Sequence, residues 1–99
     1  MKRVIFHAKA KAEFRAAIVY YEGQRPGLGR EFRETVEAAV DRIRRTPEVF
    51  APYGDQGARK CLVGRFPYTI FYVELETAIW IAAVAHQRRQ PGYWTERNP

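Results

Sequence analysis

The segment Ile79-Trp80-Ile81-Ala82-Ala83-Val84-Ala85 decides the fold of this chain, because it is apolar at every position. It is too short to read as a helix and follows a turn, so it predicts a central strand that is buried on both faces. Two further strands are predicted before it, at about 59–63 and 68–74. The connections at 64–67 and 76–77 are short, which indicates an antiparallel meander of three strands.

The first half of the chain predicts one short strand and two helices. Val4-Ile5-Phe6 is rich in β-favouring residues, and apolar spacing at helical period predicts helices over about 10–22 and 30–45. The breaker Pro26-Gly27-Leu28-Gly29 separates the helices, so they should form an antiparallel hairpin. Residues 51–57 predict a loop by composition. The charged residues expected on the solvated face of the first helix are Lys9, Lys11, Glu13 and Arg15.

The predicted order is β-α-α-β-β-β, which makes an α+β fold with a helical hairpin packed on a curved, mainly antiparallel sheet. The length of 99 residues suits a single domain over 1–99. No run approaches the roughly 20 apolar residues of a membrane span, so we expect no membrane association. The only cysteine, Cys61, excludes an intramolecular disulfide and suits a reducing cytoplasm.

Charge and residue types narrow the classes of function. The net charge of +6 favours a polyanion or an acidic protein as partner, although a basic domain without such a partner is an alternative. Two histidines and one cysteine lack the spacing of metal ligands, and no phosphate loop or dinucleotide motif occurs. The chain contains no serine, which excludes a Ser-His-Asp triad. We therefore expect no metal and no cofactor.

The closing segment, His86 to Trp94, holds most of the remaining chemical capacity. Cleavage of RNA through its 2′-hydroxyl requires a base, an acid and cations, but no metal. The side chains that offer these chemical types as a catalytic set are His86, Arg65, Arg59 and Tyr93. The same segment also suits a recognition surface, or the aromatic pair could cover the sheet instead. The residues of that recognition surface are Arg88, Arg89, Tyr93 and Trp94.

Short motifs follow one another in a characteristic order along the whole chain. They are Ala12-Glu13, Tyr20-Tyr21, Pro26-Gly27-Leu28-Gly29-Arg30-Glu31-Phe32, Arg59-Lys60, Arg65-Phe66-Pro67-Tyr68, Ala83-Val84-Ala85-His86, Arg88-Arg89, Pro91 and Tyr93-Trp94. In this order and spacing they resemble the RelE/ParE superfamily, the toxins of bacterial type II toxin–antitoxin modules of the plasmid-stabilisation type. The resemblance implies a small basic growth inhibitor, and a cognate antitoxin protein that wraps around it with an acidic or amphipathic segment.

The superfamily implies two different activities. RelE-like members cut messenger RNA on the ribosome, whereas ParE-like members act on DNA gyrase without being nucleases. In the nucleases a basic residue usually stands immediately before the Ile70-Phe71-Tyr72 run, and an arginine follows the last strand. Here those positions hold Thr69 and Gln87, so cations are missing where the scissile phosphate should lie.

These departures favour the ParE-like branch, in which the toxin inhibits gyrase by binding and is not an enzyme. The alternative is a ribosome-dependent, metal-independent mRNA endoribonuclease, with the catalytic set named above. A second alternative is a non-toxic binding module or a degraded toxin. The face of the sheet that His86 takes stays open at this point, because a register shift of one residue reverses it.

Overall fold

The computed structural model describes residues 1–99 and contains two helices packed on one five-stranded mixed sheet. The elements are β1 (Arg3–Phe6), α1 (Ala8–Gln24), α2 (Leu28–Arg45), a short 3-10 helix (Pro47–Val49), β2 (Ala51–Tyr53), β3 (Ala58–Leu62), β4 (Tyr68–Glu74) and β5 (Ala78–His86). The strand order is β1-β5-β4-β3-β2, in which β1 is parallel to β5 and the other neighbours are antiparallel. The predicted α+β class is confirmed. Neither helix is both long and apolar enough to cross a membrane.

The predicted loop at 51–57 is wrong in its first three residues, which form the edge strand β2. Ala51 pairs with Lys60, and Tyr53 pairs with Ala58. Pro52 hid this strand from sequence reasoning, because proline has no N–H for a ladder and is tolerated in sheets mainly at an edge. The sheet therefore has five strands, one more than predicted.

Contacts between the end of α1 and the start of α2 fix the helical hairpin. The carboxylate of Glu22 accepts hydrogen bonds from the backbone N–H groups of Gly27 and Gly29, at 3.0 and 3.1 Å. It thereby satisfies donors that the first turn of a helix leaves without partners. A Cβ atom at Gly29 would lie 2.5 Å from the carbonyl oxygen of Ile18. The two helices thus approach at a distance that only glycine allows.

Both helices begin two residues earlier than predicted, at Ala8 and Leu28. His7 is the N-cap of α1: its Nδ1 atom accepts a hydrogen bond from the backbone N–H of Lys9 at 3.0 Å. Histidine is an uncommon residue at this position, where Ser, Thr, Asp and Asn are preferred. The start of α1 was therefore hard to place from the sequence.

The sheet is covered on both faces, as the apolar run in β5 predicts. On one face the helices pack on the sheet and form the larger core with it. The buried members of this core include Phe32, Val36, Ile43, Ile70, Tyr72, Ile79, Ile81 and Val84. On the opposite face lies a smaller cluster made of Ala58, Trp80, Ala82, Ala83, Ala85 and Trp94. Only Trp94 in this second cluster comes from outside the sheet, so the end of the chain itself covers that face.

A β-bulge in β5 decides which face each of its side chains takes. Two consecutive residues of β4 pair with Ile81 and Ala83, so Ala82 is an extra residue without a partner. The extra residue reverses the alternation of the side chains that follow it. The side chains on the helix face are consequently those of Ile79, Ile81, Val84 and His86. The imidazole of His86 lies there with its ring centroid 5.1 Å from that of Tyr68.

Tyr72 should make the stability of the fold sensitive to alkaline pH. It is fully buried, its hydroxyl donates a hydrogen bond to the Pro47 carbonyl oxygen at 2.6 Å, and burial raises its pKa to about 12. The unfolded chain releases this proton near its ordinary pKa of about 10. The contribution of Tyr72 is therefore complete below about pH 10 and is lost as the pH rises towards 12, by roughly 2 kcal/mol.

Urea unfolding at pH 9 and pH 11.5 checks this prediction. The Tyr72→Phe variant should lose less stability between the two pH values than the wild-type protein. The exposed Tyr20 provides the matched control, because Tyr20→Phe also removes one tyrosine hydroxyl but leaves the buried Tyr72 in place, so its loss should stay larger than that of Tyr72→Phe. An unchanged loss in Tyr72→Phe would contradict the prediction. The pKa values of Tyr21, Tyr68 and Tyr93 are also raised, by burial first in each case. These tyrosines should leave part of the pH-dependent loss of stability in both variants.

Candidate interaction surface

The tail, residues 87–99, runs back over the sheet face that the helices leave open. The side chain of Trp94 is 5% exposed. Its ring stacks on Phe71 with centroids 4.7 Å apart and lies 5.6 Å from the ring of Tyr53. The indole N–H has no hydrogen-bond partner, so apolar contact alone accounts for the placement of the ring. Of the four residues predicted as a recognition surface, Trp94 is the one that the fold encloses.

Tyr93 belongs to a hydrogen-bonded cluster with Glu13 and Arg97. The Arg97 Nη2 atom lies 2.8 Å from Glu13 Oε2 in a salt bridge whose side chains are only 11% and 16% exposed. The Tyr93 hydroxyl donates to the same Glu13 oxygen at 2.8 Å. Burial, and then the hydrogen bond to Glu13, raise the pKa of Tyr93. The tyrosine proton is thus directed at Glu13 and not at open solvent.

The cluster lies beside the part of β5 that has β4 on one side but no strand on its β1 side. The last backbone hydrogen bond from the β1 side runs from His7 N to the Ile81 carbonyl oxygen, at 2.9 Å. Beyond it, Arg97 Nη1 donates to the carbonyl oxygen of Ala82 at 2.9 Å, and the backbone N–H of Val84 donates to Glu13 at 3.0 Å. Two charged side chains therefore satisfy backbone groups that a further strand would otherwise pair.

A tail groove of about 320 Å³ lies between the sheet and the tail. Its lining includes Lys60, Leu62, Thr69, Phe71, His86, Gln87, Arg89 and Tyr93, and no lining residue carries a carboxylate. Both positions at which the sequence lacks the cation expected of a nuclease, Thr69 and Gln87, line this groove. The two departures from the nuclease pattern thus fall in one place. Lys60 and Arg89 are the permanent cations of the groove lining.

The four predicted catalytic residues do not come together. His86 and Tyr93 line the tail groove, but neither Arg59 nor Arg65 does. Arg59 donates to the carbonyl oxygen of Phe50 at 2.7 Å. Arg65 pairs with Glu31 of α2, and its guanidinium lies 4.8 Å from the centroid of the Phe66 ring. The groove therefore has two members of the set and lacks both predicted arginines.

Arg88 and Arg89 are exposed at the turn that follows β5. The His86 Nδ1 atom accepts a hydrogen bond from the backbone N–H of Arg88 at 3.0 Å, which places the ring proton of a neutral imidazole on Nε2. The guanidinium of Arg89 lies 3.8 Å from the centroid of the Tyr93 ring. The predicted recognition surface is thus two exposed arginines, one of them stacked on a half-buried tyrosine.

An α1 groove of about 330 Å³ lies on the other side of His86. It is lined by Glu13, Ala16, Ala17, Tyr20, Tyr68, Val84, His86 and Arg89. Next to it on the outer face of α1, Val19 is 72% exposed and Tyr20 is 59% exposed. The lining combines apolar side chains with Arg89, and its carboxylate, that of Glu13, is paired with Arg97. Such a lining suits an amphipathic acidic segment.

Sequence reasoning missed three residues of this region. Glu13 was expected on the solvated face of α1, and this expectation is wrong, since its carboxylate is enclosed by the tail. A signal existed, because Glu13 lies at helical spacing between Ala10 and Ala17, which are both buried. Lys60 belongs to the motif Arg59-Lys60, of which only Arg59 was assigned to a site. Arg97 had no comparable signal, since its neighbours in the fold come from distant parts of the chain.

Comparisons with known proteins agree with the predicted resemblance. The family model described as "ParE toxin of type II toxin-antitoxin system, parDE" matches residues 4–91. A solved chain of the chromosomal ParDE TA system from P. aeruginosa has the same fold, with a TM-score of 0.69 and 17% identity over 87% of this chain and 96% of that chain. No curated protein matches the chain. The match to the family model covers most of the chain, and we conclude that the chain belongs to the ParE toxin family of type II toxin–antitoxin systems.

Proposed function

We propose that the protein is a cytoplasmic growth inhibitor that acts on DNA gyrase by binding and is neutralised by a cognate antitoxin. The observation that carries this proposal is the composition of the tail groove. Thr69 and Gln87 stand there in place of cations, and the arginines of the nuclease set lie elsewhere. Only Lys60 and Arg89 remain as permanent cations of the groove, so it has fewer groups that would stabilise a phosphorane-like transition state.

We assign the contact with gyrase to the exposed first residues of the tail. Arg88 and Arg89 project from a turn whose far side is anchored by Trp94 and Arg97. Arginine and tyrosine are enriched at binding hot spots, and a preorganised surface loses less entropy on association. The net charge of +6 also favours encounter with an acidic surface.

Gyrase assays with purified toxin test the proposal. We expect the wild-type protein to inhibit supercoiling or to accumulate cleavage complexes, and the Arg88→Ala/Arg89→Ala variant to need at least about tenfold more protein for the same effect. The matched control is Arg30→Ala/Arg33→Ala, which removes the same charge from exposed positions on α2. If the wild-type toxin changes neither supercoiling nor cleavage complexes at stoichiometric excess, gyrase is not the target.

The antitoxin is assigned to the α1 groove. An amphipathic segment could bury its apolar side against Ala16 and Tyr20 and place a carboxylate near Arg89. The fold match to a chain of a ParDE TA system supports a partner of this kind. Copurification with the products of the two neighbouring genes tests for such a partner, and failure of both products to bind would contradict it.

The second candidate is a ribosome-dependent endoribonuclease. It is favoured by one observation, namely that His86 and Tyr93 share the tail groove with Lys60 and Arg89. This candidate predicts codon-positioned cuts in translated mRNA that His86→Ala abolishes. A non-toxic binding module, in contrast, would leave growth unaffected when the protein is expressed without any antitoxin.

A further inference from the structure

We infer that Glu13 and Arg97 are positioning residues, which hold the exposed arginines of the tail in the orientation that binds the target. The inference rests on the proposed function, because it concerns the surface formed by Arg88, Arg89 and Tyr93. Neither Glu13 nor Arg97 is itself assigned to the contact. Both act through the tyrosine that lies between them and Arg89.

The Glu13–Arg97 pair differs from the other ion pairs of the protein in its burial. Its side chains are 11% and 16% exposed, whereas each side chain in the other pairs is at least 32% exposed. Both terminal nitrogens of Arg97 donate to the Glu13 carboxylate, at 2.8 and 3.2 Å. Removing either partner leaves the other charged and enclosed, which is far more costly than losing an exposed pair. The conformation of the tail should therefore depend on this contact.

A continuous set of contacts leads from this pair to the exposed surface. The Tyr93 hydroxyl is held by Glu13 at 2.8 Å. The guanidinium of Arg89 lies 3.8 Å from the centroid of the Tyr93 ring, and the guanidinium of Arg97 lies 5.2 Å from it. Loss of the pair therefore frees the tyrosine ring, and with it the support on which Arg89 rests.

The Glu13–Arg97 pair joins distant parts of the chain. Glu13 lies 84 positions before Arg97, in α1. The orientation of the recognition surface thus depends on a contact between the first helix and the last residues of the chain.

Gyrase inhibition by four variants tests the inference. Arg97→Met should raise the toxin concentration for half-inhibition at least about tenfold, because the enclosed carboxylate loses its partner. Arg97→Lys keeps the charge and should restore part of the activity, and Glu13→Gln keeps an acceptor for Val84 N–H and should be milder than Arg97→Met. The matched control is Arg30→Met, which breaks an exposed pair with Glu34 and should leave inhibition unchanged.

A double-mutant cycle separates positioning from a purely structural role. If Arg97 acts through Arg89, then Arg89→Ala should cost much less in the Arg97→Met background than in the wild-type background. Additive losses in the cycle would overturn the inference. Where Arg97→Met does not fold, the same cycle is run with Arg97→Lys.

Hydrogen exchange keeps the inference testable apart from the target. Residues 87–97 should lose amide protection in Arg97→Met while α1 and α2 keep theirs. Unchanged protection of the tail would overturn the inference even if inhibition falls. A wild-type protein that is inert towards gyrase would instead refute the proposed target, and the exchange data would still decide whether the pair orders the tail.

Discussion

Replacing Trp94 with alanine should lower the free energy of unfolding by about 3–5 kcal/mol, the range typical of a buried tryptophan truncated in a core. The indole is 5% exposed and is the only member of the second cluster that does not come from the sheet. Its removal would uncover the methyl groups of Ala82, Ala83 and Ala85 together with the ring of Phe71.

Urea and thermal unfolding measure this loss. For a chain of this length a loss of 3 kcal/mol should lower Tm by about 15 °C or more. Trp94→Phe is the matched control, because it keeps a ring on Phe71 and should retain most of the stability. The remaining Trp80 reports unfolding by fluorescence in both variants. A loss below about 1 kcal/mol in Trp94→Ala, which is typical of a surface substitution, would show that the tail does not cover the sheet in solution.

Gly29→Ala should destabilise the protein by roughly 2–3 kcal/mol, because the added methyl group overpacks the contact between the helices. The new Cβ would lie 2.5 Å from the Ile18 carbonyl oxygen and 3.0 Å from the Glu22 Cβ. A backbone oxygen inside α1 cannot move alone, so the two helices must separate. Their separation would also weaken the hydrogen bonds from Gly27 and Gly29 to Glu22.

The chain offers a matched control for this substitution. Gly23 lies in α1, and a Cβ atom added there would meet nothing within 4 Å. Gly23→Ala should therefore stabilise the protein, by about 0.5–1 kcal/mol, since alanine is the better helix former. The two glycine substitutions should thus shift the midpoint of urea unfolding in opposite directions. Equal shifts of the same sign would contradict the close approach of the helices at Gly29.

Local patterns explain how much of the fold was predictable. The apolar run in β5, the helical period in α1 and α2, and the breaker at 26–29 each identify an element without knowledge of its partners. The edge strand β2 was missed because Pro52 and the following glycines are typical of loops. Its pairing with β3 is a tertiary fact that overrides local composition.

The candidate site was predictable in place but not in detail. The sequence identified the closing segment by its density of His, Arg, Tyr and Trp, and it left packing, partner contact and substrate contact open for Tyr93 and Trp94. Only the fold separates these roles, by enclosing Trp94 and leaving Arg88 and Arg89 exposed. The partnership of Glu13 with Arg97 could not be predicted, because no local pattern links residues 84 positions apart.

Because β5 contains one extra residue, its two faces carry side chains of different size. The alternation of side chains reverses at Ala82. The larger branched side chains of β5 therefore pack against the helices, and the opposite face of the strand carries mainly the methyl groups of alanines. The indole ring of Trp94 packs against this alanine face. Without the extra residue, the side chain of His86 would lie on the alanine face. With it, His86 lies on the side of α1 and lines both grooves.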